Sequence, residues 1–174
     1  PDLVWMKDRD TTNYEHVIFD SVRGTGTSHI LSSDLTSQEG WSTNGSLTSF
    51  DSNGFTLPNT VLNNANGHNC VAWNWKAGGA AVLNEEGTID SQVSANTDAG
   101  FSIVNCTVTS NLSTAGHGLP TKPDVVIIKP RNVTSDWNVY HKDLGADQYL
   151  QLNNSNGAGT INGIWDLIDD TVIG

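Results

Sequence analysis

Positively charged residues are scarce in this chain of 174 residues, with eight Lys and Arg against nineteen Asp and Glu and a net charge of −11. A nucleic-acid surface needs clustered Lys and Arg to neutralise phosphates, so a nucleic-acid partner is excluded. The same scarcity disfavours an anionic membrane surface. No apolar run approaches the roughly 20 residues of a membrane span, so we expect no membrane partner.

Residues that favour helices are also few. Glu occurs four times, whereas Asn occurs nineteen times and Gly seventeen times. Asn, Gly, Ser and Thr favour turns over helix interiors. No window of more than ten residues has the apolar spacing of a helix. The composition therefore predicts a β-rich fold with short loops.

Cysteine occurs only twice, at Cys70 and Cys106. Both lie in strand-like segments, where a buried thiol behaves as a small apolar residue. The sequence does not decide whether they pair, and free thiols are the favoured interpretation. The chain begins with Pro-Asp, without an initiator Met or a signal peptide, which suggests a piece of a longer polypeptide.

One phrase occurs twice, and its neighbours repeat with it. Three pairs of segments match in order: PDLVWMKDRD (1–10) with PDVVIIKPRN (123–132), HVIFDSVRG (16–24) with WNVYHKDLG (137–145), and ILSSD (30–34) with YLQLN (149–153). The spacing drifts only in loops, where insertions are tolerated. The chain therefore contains an internal duplication.

Short apolar or alternating segments between turn signals predict strands. LVWM (3–6) and HVIFDSV (16–22) predict one hairpin, and Asn53-Gly54 is a strong turn signal for another. WDLIDDTVI (165–173) predicts the last strand. The fold class predicted is an all-β antiparallel sandwich, jelly-roll or concanavalin-like, with an internal duplication.

The duplication predicts two repeat units, at 1–99 and 100–174. The first unit has no counterpart of GFSIVNCTVTS (100–110) at its start, and the second has none of NCVAWNWK (69–76) at its end. Either the two halves complete each other in one sandwich, which we favour, or a neighbouring chain completes the sheets. Edge strands left open in this way suit the addition of a neighbour's strand.

Catalytic chemistry has little support in the sequence. Glycosidases use two opposed carboxylates, but Glu85 and Glu86 are adjacent and would point to opposite faces of a strand. They precede Gly87 and are typical of a solvated turn. No His has a second ligand at metal spacing, and no nucleophile elbow, P-loop or CxxC motif is present. We predict no catalytic residues and no enzyme activity.

Two sets of residues are candidate binding sites. Asp166, Asp169 and Asp170 form a candidate Ca²⁺ site, with a solvated acidic rim at a strand edge as the alternative. No other cofactor is expected.

Six Trp are many for this length, and exposed aromatic rings stack on the apolar C–H faces of sugars. Trp41, Asp136 and Trp137 form the candidate glycan site, with loop side chains tucked over the sandwich edge as the alternative. Trp73 and Trp75 alternate with smaller residues in one strand, and we assign them to the core.

Six phrases in order resemble repeated domains of marine bacteriophage structural proteins: PDLVWMKDRD, LTSFDSNGFTL, CVAWNWKAGGAAV, VSANTDAGFSIV, GHGLPTKPDVVIIK and WNVYHKDLG. Such proteins are described as tail-fibre-like and are similar to concanavalin-A-like lectin and glucanase sandwiches. The resemblance implies a virion protein in a tail fibre or surface appendage, a homo-oligomer with other virion proteins as partners. By fold-level analogy it also implies a host-surface glycan. A capsid decoration or cement protein and a carbohydrate-active enzyme are the alternatives.

Overall fold

The computed structural model describes residues 1–58 and 63–174, which consist almost entirely of strands and turns. One 3-10 turn at Thr27–His29 is the only helical element in these ranges. The strands are β1 (Leu3–Asp8), β2 (Val17–Asp20), β3 (Leu31–Ser32), β4 (Ser49–Asp51), β5 (Gly54–Thr56), β6 (Cys70–Trp75), β7 (Val82–Asn84), β8 (Ser91–Asn96), β9 (Phe101–Cys106), β10 (Ala115–Gly116), β11 (Val125–Ile128), β12 (Asn138–His141), β13 (Gln148–Gln151), β14 (Gly159–Thr160) and β15 (Val172–Ile173). No helix in the described ranges is long and apolar enough to cross a membrane.

The strands form antiparallel sheets. Their orders are β3-β2-β1-β6, β11-β12-β13-β14, β7-β8-β9, β4-β5 and β10-β15. The prediction of an all-β, sandwich-like fold is therefore confirmed. Asp51 lies opposite Gly54, so the hairpin predicted at DSNG is confirmed, but Ser52 and Asn53 form its turn and Gly54 belongs to β5. Cys70 and Cys106 are free thiols.

The two Pro-Asp phrases occupy the same place in two similar sheets. We call β1–β6 the first copy and β11–β15 the second copy. The matched pairs are Val4 opposite Phe19 and Val126 opposite Tyr140, then Ile18 opposite Leu31 and Val139 opposite Leu150. Each pair joins residues that the sequence repeat matches, so both copies pair their three strands in one register.

Each copy holds the loop after its Pro-Asp strand with a Lys. The Lys7 ammonium group donates hydrogen bonds to the backbone carbonyls of Thr11 and Tyr14. The Lys129 ammonium group donates to the carbonyl of Val133 at 3.4 Å, the place that matches Thr11. Loop carbonyls turned away from solvent need a donor, and a Lys supplies several. This requirement explains why both phrases contain Lys at the same position.

Each copy buries one face of its sheet in its own core. The first core contains Val4, Met6, Val17, Phe19, Ile30 and Leu47, closed by partly buried side chains that include Phe50 and Phe55. The second core contains Val126, Tyr140, Trp165 and Ile168. Matching residues, such as Val4 and Val126, therefore face matching cores.

A third cluster joins the copies. Ile18 and Leu31 of the first copy pack against Trp137 of the second copy. The Trp137 indole N–H also donates to the backbone carbonyl of Ser32 at 2.8 Å. The predicted boundary between residues 99 and 100 lies in the turn between β8 and β9, which pair along their whole length. The division at that position stays a prediction.

The end of the chain differs from the prediction of a single strand at 165–173. Ile168 pairs with Ile173 through an antiparallel bridge, so the segment is a hairpin. In the first copy, Phe50 lies opposite Phe55 at the same separation in β4–β5. The second copy therefore repeats this hairpin too. Its Asp-Asp-Thr turn lacks the Asn-Gly signal, which is why the sequence did not indicate it.

Candidate functional site

Four aromatic side chains form a continuous row that runs from the first sheet to β9. Trp5 belongs to β1, Trp73 and Trp75 to β6, and Phe101 to β9. The Trp5 ring centroid lies 5.9 Å from that of Trp73 and 6.4 Å from that of Trp75. Trp75 stacks on Phe101 with centroids 6.3 Å apart. We call these four residues the aromatic row.

Strand register places three of the rings side by side. Trp5 lies opposite Trp73 in the β1–β6 pair. Side chains along a strand alternate between faces, so Trp75 shares their face. Val4 and Ala72 occupy the other face and pack in the first core. Aromatic contacts between neighbouring strands contribute about 0.5–1.5 kcal/mol beyond area burial, so the row stabilises its own geometry.

The aromatic row is exposed to solvent at its two β6 residues, whereas Trp5 is partly buried and packs against the cluster that joins the copies. Trp73 is 45% exposed and Trp75 is 37% exposed. The prediction that both lie in the core is therefore wrong. Alternation determines which side chains share a face, but it does not say which face is covered. The sequence did contain a signal in β1, where Val4 and Met6 on one face alternate with apolar residues on the other, because a strand that is apolar on both faces has a second surface to cover.

Polar groups lie at one end of the row, next to Trp75. The Lys76 ammonium group is 3.0 Å from a carboxylate oxygen of Asp2, and its side chain is largely exposed. The Asn96 side-chain amide donates to the backbone carbonyl of Lys76 at 3.1 Å. Lys76 and Asn96 therefore place polar groups beside the apolar rings.

The predicted glycan site is not assembled. Trp137 is 6% exposed and packs between the copies, whereas Trp41 packs against the first core on the opposite face of the sheet. The Asp136 carboxylate accepts a hydrogen bond from the Asn153 side-chain amide at 2.8 Å. A buried ring cannot stack on a sugar, so Trp137 is a packing residue. The sequence grouped Trp41 and Trp137 because both lie in loops or turns. A loop position does not determine which face of the sheet the ring packs on.

The three acidic residues of the predicted Ca²⁺ site, Asp166, Asp169 and Asp170, do not converge. Among the described residues, no group of three or more His, Cys, Asp or Glu side chains could hold a metal. Asp169 accepts two backbone N–H groups of its own turn, at 2.7 and 2.8 Å. Asp170 accepts the Lys122 backbone N–H at 2.8 Å. The Asp169 and Asp170 carboxylates therefore stabilise the last hairpin and the loop beside it. Each is paired with backbone N–H groups of a different segment.

A network of charges connects the two copies. The Arg23 side chain is 5% exposed and lies 2.5 Å from an Asp20 oxygen and 2.8 Å from a Glu39 oxygen. The other Glu39 oxygen lies 2.8 Å from Arg131 of the second copy. Glu39 also donates its backbone N–H to the Arg131 carbonyl at 2.8 Å. Both Glu39 oxygens are paired with guanidinium groups, so this cluster is a structural clamp.

An Asp–His pair lies at the end of β1. Asp8 is fully buried, and its carboxylate is 2.6 Å from the His68 ring nitrogen Nδ1. Its other oxygen accepts the backbone N–H groups of Asp10 and Thr11 at 2.9 and 3.2 Å. Burial raises the pKa of Asp8, but the hydrogen bonds to His68 and the two amides outweigh it and lower the pKa. The His68 ring stacks on Tyr14, which indicates a packing role.

Comparison with protein-family models finds a match over residues 1–173 to a family described as a domain of unknown function, DUF7483. The chain belongs to this family. The match includes both Pro-Asp phrases, so the family unit spans both copies. Comparisons with curated proteins and with solved structures found no match.

Proposed function

We propose that this DUF7483 chain is a non-enzymatic structural module of a bacteriophage virion, in a tail fibre or surface appendage. It works there as a homo-oligomer among other virion proteins and binds host-surface glycans through the aromatic row. The order of the six resembling phrases supports the virion part. The exposure of Trp73 and Trp75 on the outer face of the sheet carries the glycan part.

The geometry of the row favours an extended, neutral glycan. Three Trp rings and one Phe ring are in successive contact, with neighbouring centroids 5.9–6.4 Å apart. Several adjoining rings can stack on several sugar units, whereas a single ring stacks on one. The net charge of −11 repels polyanions at low salt, so acidic polysaccharides are the weaker candidates.

Glycan-array screening of the purified chain, followed by calorimetry with the best ligand, tests the glycan part. We expect Trp73→Ala and Trp75→Ala each to weaken binding about tenfold, since each removes a stacking face. Trp73→Phe keeps an aromatic face and should retain most of the affinity. Leu112→Ala removes another exposed apolar side chain, 72% exposed, and serves as the matched control. Unchanged binding by both Ala variants would contradict this role of the row.

A capsid decoration or cement protein is the second candidate, favoured by a different surface. Val125, Ile127 and Leu150 of the second sheet are exposed apolar side chains on one face. A flat apolar face of this kind suits docking to a protein shell. Imaging of intact particles separates the two candidates, because density repeated over the capsid favours decoration and density on an appendage favours the main proposal. Turnover of any polysaccharide by the pure chain would contradict both.

A further inference from the structure

The two copies differ at one edge of their sheets. β1 lies between β2 and β6, whereas its counterpart β11 is an edge strand. Within residues 1–58 and 63–174, no strand pairs with the free edge of β11. The first copy therefore shows how this edge is covered when a strand of the β6 type is present.

Strand register identifies the backbone groups at the free edge. Arg9 donates its backbone N–H to the Asn69 carbonyl at 2.8 Å, so alternate residues of β1 from Leu3 onward face β6. By the same alternation, Val125, Ile127 and Lys129 direct their backbone N–H and C=O groups to the free edge. Their neighbours face β12.

The side chains near this edge are exposed where those of the first copy are covered. Val125 is 47% exposed, Ile127 is 49% exposed and Ile128 is 37% exposed. Met6, the counterpart of Ile128, is 3% exposed. A flat apolar edge strand pairs readily with other chains, and proteins usually cover or charge such an edge.

An aspartate that holds the incoming strand is present in both copies. Asp2 is 6% exposed, and its carboxylate accepts the Ala77 backbone N–H at 2.9 Å, just after β6. Its counterpart Asp124 is exposed and lies 3.0 Å from the Lys142 ammonium group. Both copies therefore have a carboxylate that can accept the backbone N–H at the end of an added strand. Only the first copy has that strand.

We propose that the free edge of β11 binds a second strand of the β6 type, supplied from outside residues 1–174. The strand pairs antiparallel in the register of β1–β6, with large apolar side chains opposite Val125 and Ile127 and small or polar ones between them. A backbone N–H that follows it binds Asp124. This strand addition extends the second sheet to match the first. The proposal does not depend on glycan binding.

A peptide of residues 69–77, with Cys70→Ser, provides the test. It is titrated into the full chain and followed by calorimetry and by amide hydrogen exchange. We expect one peptide per chain and at least about tenfold slower exchange at Val125, Ile127 and Lys129. Asp124→Ala should weaken binding about tenfold, since it removes a charge-assisted hydrogen bond. Slower amide hydrogen exchange confined to β1 would overturn the proposal, because the peptide would then have replaced β6 and not bound β11.

N-methylated peptides supply a matched control. Register directs the Trp73 N–H of the peptide to β11 and the Asn74 N–H away from it. Methylation at Trp73 should reduce affinity at least about tenfold, and methylation at Asn74 should leave it unchanged. Equal affinities would overturn strand pairing. A dimer of the chain in sedimentation that Ile127→Lys dissociates would also overturn it, because the edge would then be occupied by a second copy.

Discussion

The two copies make the same backbone hydrogen bonds with different side chains. In the first copy, the Asp34 carboxylate accepts the His16 backbone N–H at 3.1 Å as the chain enters β2. In the second copy, the Asn153 side-chain oxygen accepts the Trp137 backbone N–H at 2.8 Å at the matching place. Any side chain with a well-placed oxygen serves this purpose. The need to pair the backbone N–H group therefore restrains these positions more than their charge does.

A neighbouring position shows what the difference in charge does. In the second copy, Asp136 accepts a hydrogen bond from the Asn153 amide. In the first copy, Glu15 matches Asp136 and faces Asp34, a second carboxylate. Desolvation and then the interactions with Asp34 raise the pKa of Glu15. The second copy therefore pairs a carboxylate with a neutral amide, whereas the first copy places two carboxylates together.

The largest expected effect breaks the charged clamp through Arg23, a buried residue of the first copy that Leu144 replaces in the second copy. Arg23→Ala leaves Asp20 and Glu39 without their shared guanidinium group, and breaking a buried ion pair costs about 3–5 kcal/mol. Leu144 matches Arg23 in the second copy and lies in no such network, so Leu144→Ala should cost less. Urea denaturation of both variants measures the difference. Equal losses would show that the clamp adds nothing beyond packing.

The second-largest expected effect tests whether Lys7 and Lys129, which occupy the same position in the two phrases, stabilise their loops in the same way. Lys7→Met and Lys129→Met each remove the donor for loop carbonyls, and each should lower the free energy of unfolding by about 1–2 kcal/mol. Denaturation midpoints measure both. A loss in only one variant would show that the two loops are held differently.

Acid should weaken the end of β1 and leave its counterpart unaffected, because Pro130 replaces Asp8 in the second copy. The pKa of Asp8 is lowered in the folded state, so its contribution to stability is full above the ordinary Asp pKa of about 3.9 and is lost as the pH falls through the lowered pKa. The protection of the β1 amides, that is, their exchange relative to the intrinsic rate at each pH, should therefore fall below about pH 4. Asp8→Asn should remove most of this pH dependence.

Asp169→Asn is the companion control for acid sensitivity. Two backbone amides lower the pKa of Asp169, so the last hairpin should lose stability in the same acidic range. The substitution should alter the acid response of that hairpin and leave β1 unchanged. An effect of Asp169→Asn on β1 would contradict independent titration of the two sites.

The smallest effect makes the first copy resemble the second. Asp34→Asn replaces the pair of carboxylates with the carboxylate–amide pair that Asp136 and Asn153 form. The raised pKa of Glu15 means that its contribution is full below the unfolded value and is lost as the pH rises through the folded value. At neutral pH, Asp34→Asn should therefore raise the free energy of unfolding by about 0.5–1 kcal/mol. At pH 4 it should change that free energy little. Thermal unfolding at both pH values measures it, and destabilisation at neutral pH would contradict the interpretation.

Periodicity and turn chemistry were enough to predict most of the strands and the pairing of two hairpins. The β1–β2 and β4–β5 hairpins and the all-β class followed from alternation and from Asn53-Gly54. The last hairpin was missed because its turn has no Gly to permit a tight primed turn. The predicted sites failed for another reason, since a loop Trp or a run of Asp has no fixed partner until distant strands meet.

The sequence by itself determined that two related sets of strands exist and that Trp5, Trp73 and Trp75 differ from their neighbours in the face they occupy. Local geometry is sufficient for this, because a strand alternates side chains whatever surrounds it. Only the tertiary structure decided that Trp137 is buried, that the Trp of β6 are exposed and that β11 has a free edge. Burial and edge pairing depend on which distant segments cover a face, and no local pattern contains that information.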